Sequence, residues 1–357
     1  MNILLLVIQD SFVGGAENVL HQISDFYIKK GHEVYVLFCL PRKYGHWENE
    51  NYSNLHLLYG GGIGMMLSKI LSLRKVKFDY SYSSLVDLTG ILGILRRLHI
   101  LHINKMIGRE STSIFDRFKG FSLFRKKLMY RLGYPAVDAL ICQTTYMKER
   151  LLANLPWIEN KSKVIVVPNP VNLESMSLKG KDSLDVTAHH PYIVTAGRFI
   201  PEKGYDVLIN AFALIKKAHP ELQLIILGDG SLRASLEKQV SQLGLKDSVC
   251  MPGFSDNVYP WFREAQLCVI SSRVEGFPNV LLQMMAQNNR VVSTLCAGDI
   301  DNIEGLHTCR ADSVYSLAQA MEDALSQTDT DKNRALFDKE LQSRSVEKFI
   351  KAVEKLD

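Results

Sequence analysis

At 357 residues the chain is too long for one ordinary core, which points to two domains. Its 46% hydrophobic content is that of a folded globular protein, and no apolar run approaches the roughly 18–20 residues that a bilayer crossing needs. A net charge of +4 does not by itself argue for nucleic acid, and the six cysteines show no C-x-x-C spacing, which leaves zinc, redox and disulfide frameworks unsupported.

Residues 1–8 are apolar but lack a basic flank and a small-residue cleavage site. They read as a first buried strand rather than a signal peptide, so a cytoplasmic chain is expected. Helical spacing over 16–29 and a second strand at 33–38 follow. A glycine cluster at 60–64 reads as a flexible loop. Further strands are predicted at 55–58, 78–81, 103–107, 136–142 and 163–167. This β-α-β rhythm predicts a parallel sheet covered on both faces. Prolines 168, 170 and 191, with Gly180 and several Ser and Lys residues, break the rhythm, which places a linker at 170–189. The first domain is therefore 1–169 and the second 190–344. In the second, strands are predicted at 192–196, 222–227, 248–251, 267–270 and 290–293, with helices at 205–218, 231–243 and 278–288. Helical spacing at 345–357 suggests a final helix that crosses back and packs on the first domain. Cys142, Cys250 and Cys268 sit in strand-like runs and are read as small core residues. The fold class expected is α/β, with two doubly wound Rossmann-like domains.

Three constellations carry chemistry. Gly197-Arg198-Phe199-Ile200-Pro201-Glu202-Lys203-Gly204 follows a strand and opens a helix, where ligands of open α/β sheets bind. Arg198 offers a planar fork for phosphate and Lys203 a compact cation. With the helix start they would hold a diphosphate without a metal; the competing reading is solvated surface. Glu275-Gly276-Phe277-Pro278-Asn279-Val280, running on to Gln283, also lies between a strand and a helix. Its backbone N–H groups suit an anion or sugar hydroxyls, and Glu275 suits a sugar; the competing reading is a carboxylate favouring the helix dipole. Gly14-Gly15-Ala16-Glu17 follows the first strand, where two glycines allow close backbone approach to a ligand or simply form a tight turn. There is no G-x-G-x-x-G, so NAD is not expected.

The segments TAGRFIPEKGYDVLINAF, LIILGDGSLRASLE, MPGFSDN and SSRVEGFPNVLLQMMAQ occur in order over about 165–300, and GGAE occurs near the start. Together they resemble the retaining glycosyltransferases of family 4, which have the GT-B fold of two domains facing across a cleft. The middle of the first half matches in rhythm alone. The resemblance implies a nucleoside-diphosphate sugar donor, UDP being common in the family, and transfer with retention by front-face attack. It implies that Arg198 and Lys203 stabilise the leaving diphosphate, that Glu275 contacts the donor sugar, and that Gly276, Phe277, Pro278, Asn279 and Val280 lend backbone donors. Gly253 and Phe254 would lie beside the base, Gly197 and Gly228 would line the donor site, and Gly14 and Gly15 would approach the phosphates or the acceptor. No cofactor or metal is expected.

Two departures stand out. The family's E-x7-E pattern ends here in Gln283, whose amide still pairs with ribose hydroxyls. Many members carry a histidine after a strand of the first domain; here the matching stretch is 106–111, so Arg109 and Glu110 become acceptor-side candidates. His102 lies earlier, inside the strand run, and is read first as structural. Asp299 and Asp301 spell D-x-D, a metal signature of a different glycosyltransferase fold.

Segment 117–131 interleaves Arg117, Lys119, Arg125, Lys126, Lys127 and Arg131 with Phe118, Phe121, Phe124 and Leu128. Phe121, Phe124 and Leu128 share one helical face, which either lies on an anionic membrane surface or packs into the first domain. The membrane reading makes the acceptor a lipid-linked glycan at the inner leaflet, and the resemblance adds surface polysaccharide or lipopolysaccharide assembly. Two other functions fit the residues less fully. A nucleotide-sugar epimerase of similar fold would turn over donor with no acceptor present. A degenerate, non-catalytic sugar-binding or scaffold protein is favoured by Gln283 and opposed by intact Arg198, Lys203 and Glu275.

Overall fold

The computed structural model describes residues 1–11, 15–43, 45, 47, 52–183 and 191–355. The chain divides into two units, Met1–Val171 with Arg344–Asp357, and Asn172–Ser343.

Unit 1 runs β1 (Asn2–Val7), α1 (Gly15–Lys29), β2 (Glu33–Phe38), β3 (Leu55–Tyr59), α2 (Ile63–Leu73), β4 (Lys77–Ser84), α3 (Val86–Arg97), β5 (His102–Arg109), α4 (Ile114–Arg117), α5 (Gly120–Gly133), β6 (Ala139–Cys142), α6 (Thr145–Asn154) and β7 (Lys163–Val166). Its seven strands are all parallel, in the order β3-β2-β1-β4-β5-β6-β7. Successive strand side chains point to opposite faces, and β1 shows the result. Leu4 and Leu6 enter one core with α2, α3, α5 and α6, while Ile3, Leu5 and Val7 enter another with α1. The C-terminal helix Val346–Glu354 buries Phe349, Ile350 and Val353 in that second core. Helix α2 begins inside the glycine cluster expected to be a loop.

Helix α5 lies close on α3 because glycines face each other. A Cβ on Gly93 would stand 2.2 Å from the Gly133 carbonyl oxygen, and one on Gly133 2.1 Å from that of Gly90. Tyr130 and Gly133 face inward, whereas Phe121 is 76% exposed and Phe124 60%. The aromatic face of 117–131 therefore points to solvent and not into the domain, because the inward stripe is the other one, through Leu123, Lys126, Tyr130 and Gly133.

Unit 2 opens with α7 (Leu173–Gly180), whose N-cap Asn172 accepts from the Ser175 N–H at 3.0 Å. This helix occupies the stretch expected to be linker. It docks on unit 2, where the Gln287 side chain donates to the Met176 carbonyl at 2.9 Å and Arg263 donates to that of Gly180. There follow β8 (Tyr192–Ala196), α8 (Tyr205–Ile215), β9 (Gln223–Leu227), α9 (Arg233–Gln242), β10 (Val249–Gly253), α10 (Tyr259–Glu264), β11 (Leu267–Ile270), α11 (Asn279–Gln287), β12 (Val291–Thr294), β13 (His307–Cys309), α12 (Val314–Ser326) and α13 (Asp331–Ser343). The parallel order is β10-β9-β8-β11-β12-β13. The order reverses between β8 and β11, which is the switch point of the sheet. Cys142 and Cys268 are buried, but Cys250 is exposed: β10 is an edge strand with one covered face.

Candidate active site

In unit 2 the loops leaving β8, β9 and β10 are stitched together by main chain. Gly197 N–H donates to the Leu227 carbonyl at 2.9 Å, Gly228 N–H to that of Gly253 at 2.7 Å, and Phe199 N–H to that of Asp229 at 2.8 Å. The stitching demands glycine. Gly228 has φ +128°, and a Cβ there would sit 2.0 Å from the Gly197 carbonyl oxygen. Gly253 has φ +101°, a conformation that side chains resist. Phe254 follows it, 60% exposed.

Arg233 braces these loops from below. Its guanidinium donates to Asp229 at 2.9 Å, to Glu237 at 3.2 Å, and to the carbonyls of Gly228 and Met251, both at 3.1 Å. It also lies 5.2 Å from the centre of the Phe199 ring, which is fully buried. Fixed between this ring and the strand end, Arg198 projects into solvent, and its guanidinium makes no hydrogen bond or ion pair among the described residues.

The loop then turns through Pro201–Lys203 and caps at Gly204, whose φ of +62° is left-handed. A Cβ at Gly204 would stand 2.2 Å from the Ser271 carbonyl oxygen, so the loops after β8 and β11 touch backbone to backbone. Across that contact Lys203 Nζ lies 2.5 Å from Glu275 Oε1. The Ser272 hydroxyl donates to the same oxygen at 2.8 Å, and the Glu275 N–H donates to the Cys296 carbonyl at 2.7 Å. The pair is mostly covered, with side chains 17% and 19% exposed. Arg273 locks the loops from the other side. It forks onto Asp206 at 2.9 and 2.7 Å, reaches Asp312 at 2.7 Å, and donates to the Pro201 carbonyl at 2.7 Å. Hydrogen bonding to Arg273 holds the Asp206 carboxyl below its usual range against the opposing effect of burial.

Phe277 and Pro278 are buried and seat the start of α11, where Pro278 supplies no side-chain cap. Asn279 and Val280 begin the helix and Gln283 lies one turn on, half-buried, with its amide 3.3 Å from the Tyr259 hydroxyl. Arg198 and Lys203 thus leave β8, while Glu275, Gly276 and α11 leave β11, on the two sides of the switch point. Chemically this gives one free and one paired cation, a carboxylate, and a helix N-terminus at one sheet edge, a set suited to a polyanion carrying hydroxyls.

The unit 1 candidates are arranged differently. Gly14 lies outside the described residues; Gly15 opens α1 and is exposed. Arg109 ends β5 and is 4% exposed, donating to Asn169 and, at 3.4 Å, to Ser84. Burial lowers its guanidinium to about 10. Glu110, the other acceptor-side candidate of this stretch, is 3% exposed and turned into the domain. It accepts from the Tyr130 hydroxyl at 2.6 Å and the Tyr134 hydroxyl at 3.0 Å. Burial raises its carboxyl to about 7, against the lowering effect of the two hydroxyls and Arg109. His102 is the first residue of β5 and exposed, at the opposite end of the strand from Arg109. Strand direction therefore separates it from Arg109 and Glu110. Asp299 and Asp301 join no cluster of three or more His, Cys, Asp or Glu side chains among the described residues.

Sequence reasoning did not single out Arg233, Arg273 or Ser272. Their partners are loop carbonyls and acids up to 72 residues away in sequence. The available signals were their places inside GDGSLRASLE and SSRVEG, two to five residues from residues already chosen.

Two family models match the chain: Glycosyltransferase Family 4 over residues 13–175 and Glycosyl transferases group 1 over residues 190–327. The lipopolysaccharide core biosynthesis glycosyltransferase LpsE of Rhizobium meliloti is 32% identical over 169 residues, 47% of each chain. A Campylobacter jejuni N-acetylgalactosaminyltransferase, named for a diphospho-undecaprenol-linked substrate, is 28% identical over 182 residues, 51% of this chain and 48% of its own. The chain thus matches about half the length of these curated relatives. The crystal structure of Anabaena Alr3699/HepE with UDP and glucose superposes with a TM-score of 0.79 at 17% identity, covering 99% of this chain and 98% of that one. Two Rossmann-like parallel sheets with this match define the GT-B class of fold. Within that class, the chain belongs to the family 4, group 1 glycosyltransferases.

Proposed function

We propose that this protein is a retaining glycosyltransferase. It moves a hexose or N-acetylhexosamine from a nucleoside-diphosphate sugar, UDP first among the candidates, to a glycan acceptor. The observation that carries the reading is the division of charge across the switch point of unit 2. Arg198 stands free on one side, and Lys203 is held against Glu275 from the other. An incoming diphosphate is attracted to Arg198 and the start of α11, and draws Lys203 toward itself. Glu275 then loses a partner and accepts hydrogen bonds from sugar hydroxyls. As the glycosidic bond to phosphate breaks, both cations stabilise the charge that builds on the leaving diphosphate, the task a metal performs elsewhere. Gln283, one turn into α11, serves the ribose hydroxyls through its amide.

The acceptor is assigned to unit 1, with a lipid-linked glycan of surface polysaccharide or lipopolysaccharide assembly as the class. LpsE and the Campylobacter enzyme support this by name. So does α5, where exposed Phe121 and Phe124 stack at 6.3 Å and Leu128 continues the stripe. Arg117, Lys119, Arg125, Lys127 and Arg131 surround it, and this charge supports docking of the face on an anionic lipid surface at the inner leaflet. No helix among the described residues is long and apolar enough to cross a membrane.

The test is nucleotide binding followed by thermal shift with UDP, GDP, ADP and CMP. One diphosphate should raise the unfolding temperature, and Arg198→Ala should weaken it by about 1.5–3 kcal/mol, roughly 10- to 150-fold. The variant should unfold normally without ligand. Equal binding by parent and variant rejects the diphosphate assignment. Retention is then read from the anomeric coupling of the product by NMR.

A further inference from the structure

A cavity lies at the other end of unit 1's sheet from Arg109 and Glu110. It has a volume of about 510 Å³ and is lined by Lys77, Arg96, Arg97, His99 and His102 together with neutral residues. Lys77 opens β4 and His102 opens β5, and the two are direct partners in the parallel register. No carboxylate lines the cavity.

Part of this charge has a local explanation. Helices α3 and α5 both end here, and cations favour helix C-termini. Arg96 is fully occupied in that role: it donates to the carbonyls of Ala136 and Asn104, both at 2.6 Å, and pairs with Asp138 at 2.5 Å. Arg97 spends one donor on the Leu132 carbonyl at 2.6 Å. Lys77 and His102, which open strands, are not explained this way, and His99 lies two residues beyond the end of α3. All three are exposed, and their side chains have no acidic partner among the described residues. Basic side chains placed directly opposite on neighbouring strands oppose each other. His99 sits in the left-handed region at φ +55° and caps α3, its N–H donating to the Arg96 carbonyl and the Ile100 N–H to that of Leu95, both at 3.0 Å. That backbone turn is what brings its ring to the cavity.

We propose that this cavity is a site for a phosphate monoester or diester. Arg97 supplies the fork, Lys77 the point charge, and the two imidazoles flank them. The volume exceeds what bare phosphate needs, so the group arrives attached to something. Leu98 and Leu132, 63% and 42% exposed, supply nearby apolar surface, and Leu132 belongs to α5, the helix that carries Phe121 and Phe124. The phosphate therefore comes either from an anionic lipid headgroup or from a soluble phosphorylated metabolite. The site itself stands on the cavity residues and does not depend on the transfer reaction proposed above.

The test uses the full chain carrying Arg198→Ala, so that phosphate binding at the donor site does not mask the signal. Calorimetric titration with glycerol 3-phosphate forms one arm, and flotation with phosphatidylglycerol against phosphatidylcholine vesicles the other. Lys77→Glu with His99→Asp reverses the charge, and Asp tolerates the left-handed turn. Lys77→Gln is a milder companion, and each variant is first checked for an unchanged unfolding temperature in phosphate-free buffer. The double variant should bind glycerol 3-phosphate about tenfold more weakly, with Lys77→Gln intermediate. If vesicle binding falls with it, the headgroup is the source; if vesicle binding holds while glycerol 3-phosphate binding falls, the source is soluble. Parent and double variant behaving alike in both arms overturns the proposal.

Discussion

In unit 2 the loops after β8, β9 and β10 are joined by main-chain hydrogen bonds at positions that exclude a Cβ. In unit 1 the end of β5 is instead filled by the side chains of Arg109 and Glu110, buried and held by Asn169, Tyr130 and Tyr134. One strand end is shaped by backbone and leaves Arg198 free for a ligand. The other is shaped by side chains that satisfy each other. The first kind of site is vulnerable to added volume, the second to a change of protonation.

The largest expected effect breaks the first of these. Gly228→Ala places a methyl group 2.0 Å from the Gly197 carbonyl oxygen at φ +128°. Strain and overpacking together should destabilise unit 2 by about 3 kcal/mol or more. Gly31→Ala, at φ +77° with open space around it, is the control and should cost about 1–2 kcal/mol. Calorimetric unfolding of the two variants decides this, and comparable losses would mean the stitching is not steric.

A protonation change tests the second. The Glu110 carboxyl is raised from 4.5 to about 7 in the folded protein, so the folded state holds its proton more tightly than the unfolded chain does. The resulting stabilisation is complete below pH 4.5, declines as pH rises through the window to about 7, and is absent above it. Its span is up to about 3 kcal/mol. Glu110→Gln should remove this decline, seen as a smaller difference in urea midpoint between pH 5 and pH 8 than the parent shows. A parallel pair of profiles would place the cause elsewhere.

The smallest effect on stability belongs to the exposed face of α5. Phe121→Ser with Phe124→Ser removes aromatics that are 76% and 60% exposed, so unfolding should move by no more than about 0.5 kcal/mol. Binding to anionic vesicles should nevertheless drop sharply. Loss of stability without loss of vesicle binding would return the face to the interior of unit 1.

What could be read in advance follows the range of the forces involved. Strands such as β1, β8 and β11 announce themselves because their apolar runs are buried on both sides. β13, three residues with a half-buried histidine and an exposed threonine, carries no such signal and is held by pairing with β12. Helix α7 was hidden by its proline-rich surroundings, although Asn172 is an N-cap in plain view. Arg198, Lys203 and Glu275 were legible because strand-end position and charge select them. The 2.5 Å contact between Lys203 and Glu275 was not, since 72 residues separate them. In α5 the sequence holds two apolar stripes, and only the glycine contacts with α3 decide which one faces inward. Glu110 looked available because its tyrosine partners lie 20 and 24 residues further on.

The chain leaves unit 1 at Val171 and re-enters it at Arg344, and the two points are stitched side by side: the Val171 N–H donates to the Arg344 carbonyl at 2.9 Å, and Val171 bridges Ser345. Topologically, unit 2 is an insertion into unit 1. During synthesis, then, the second-born unit is the first to be complete. The first-born unit waits, one face of its core uncovered, until the helix Val346–Glu354 emerges and Phe349, Ile350 and Val353 close over it. Ribosome stalling or proteolytic nicking near position 343 would therefore injure the beginning of the protein rather than its end.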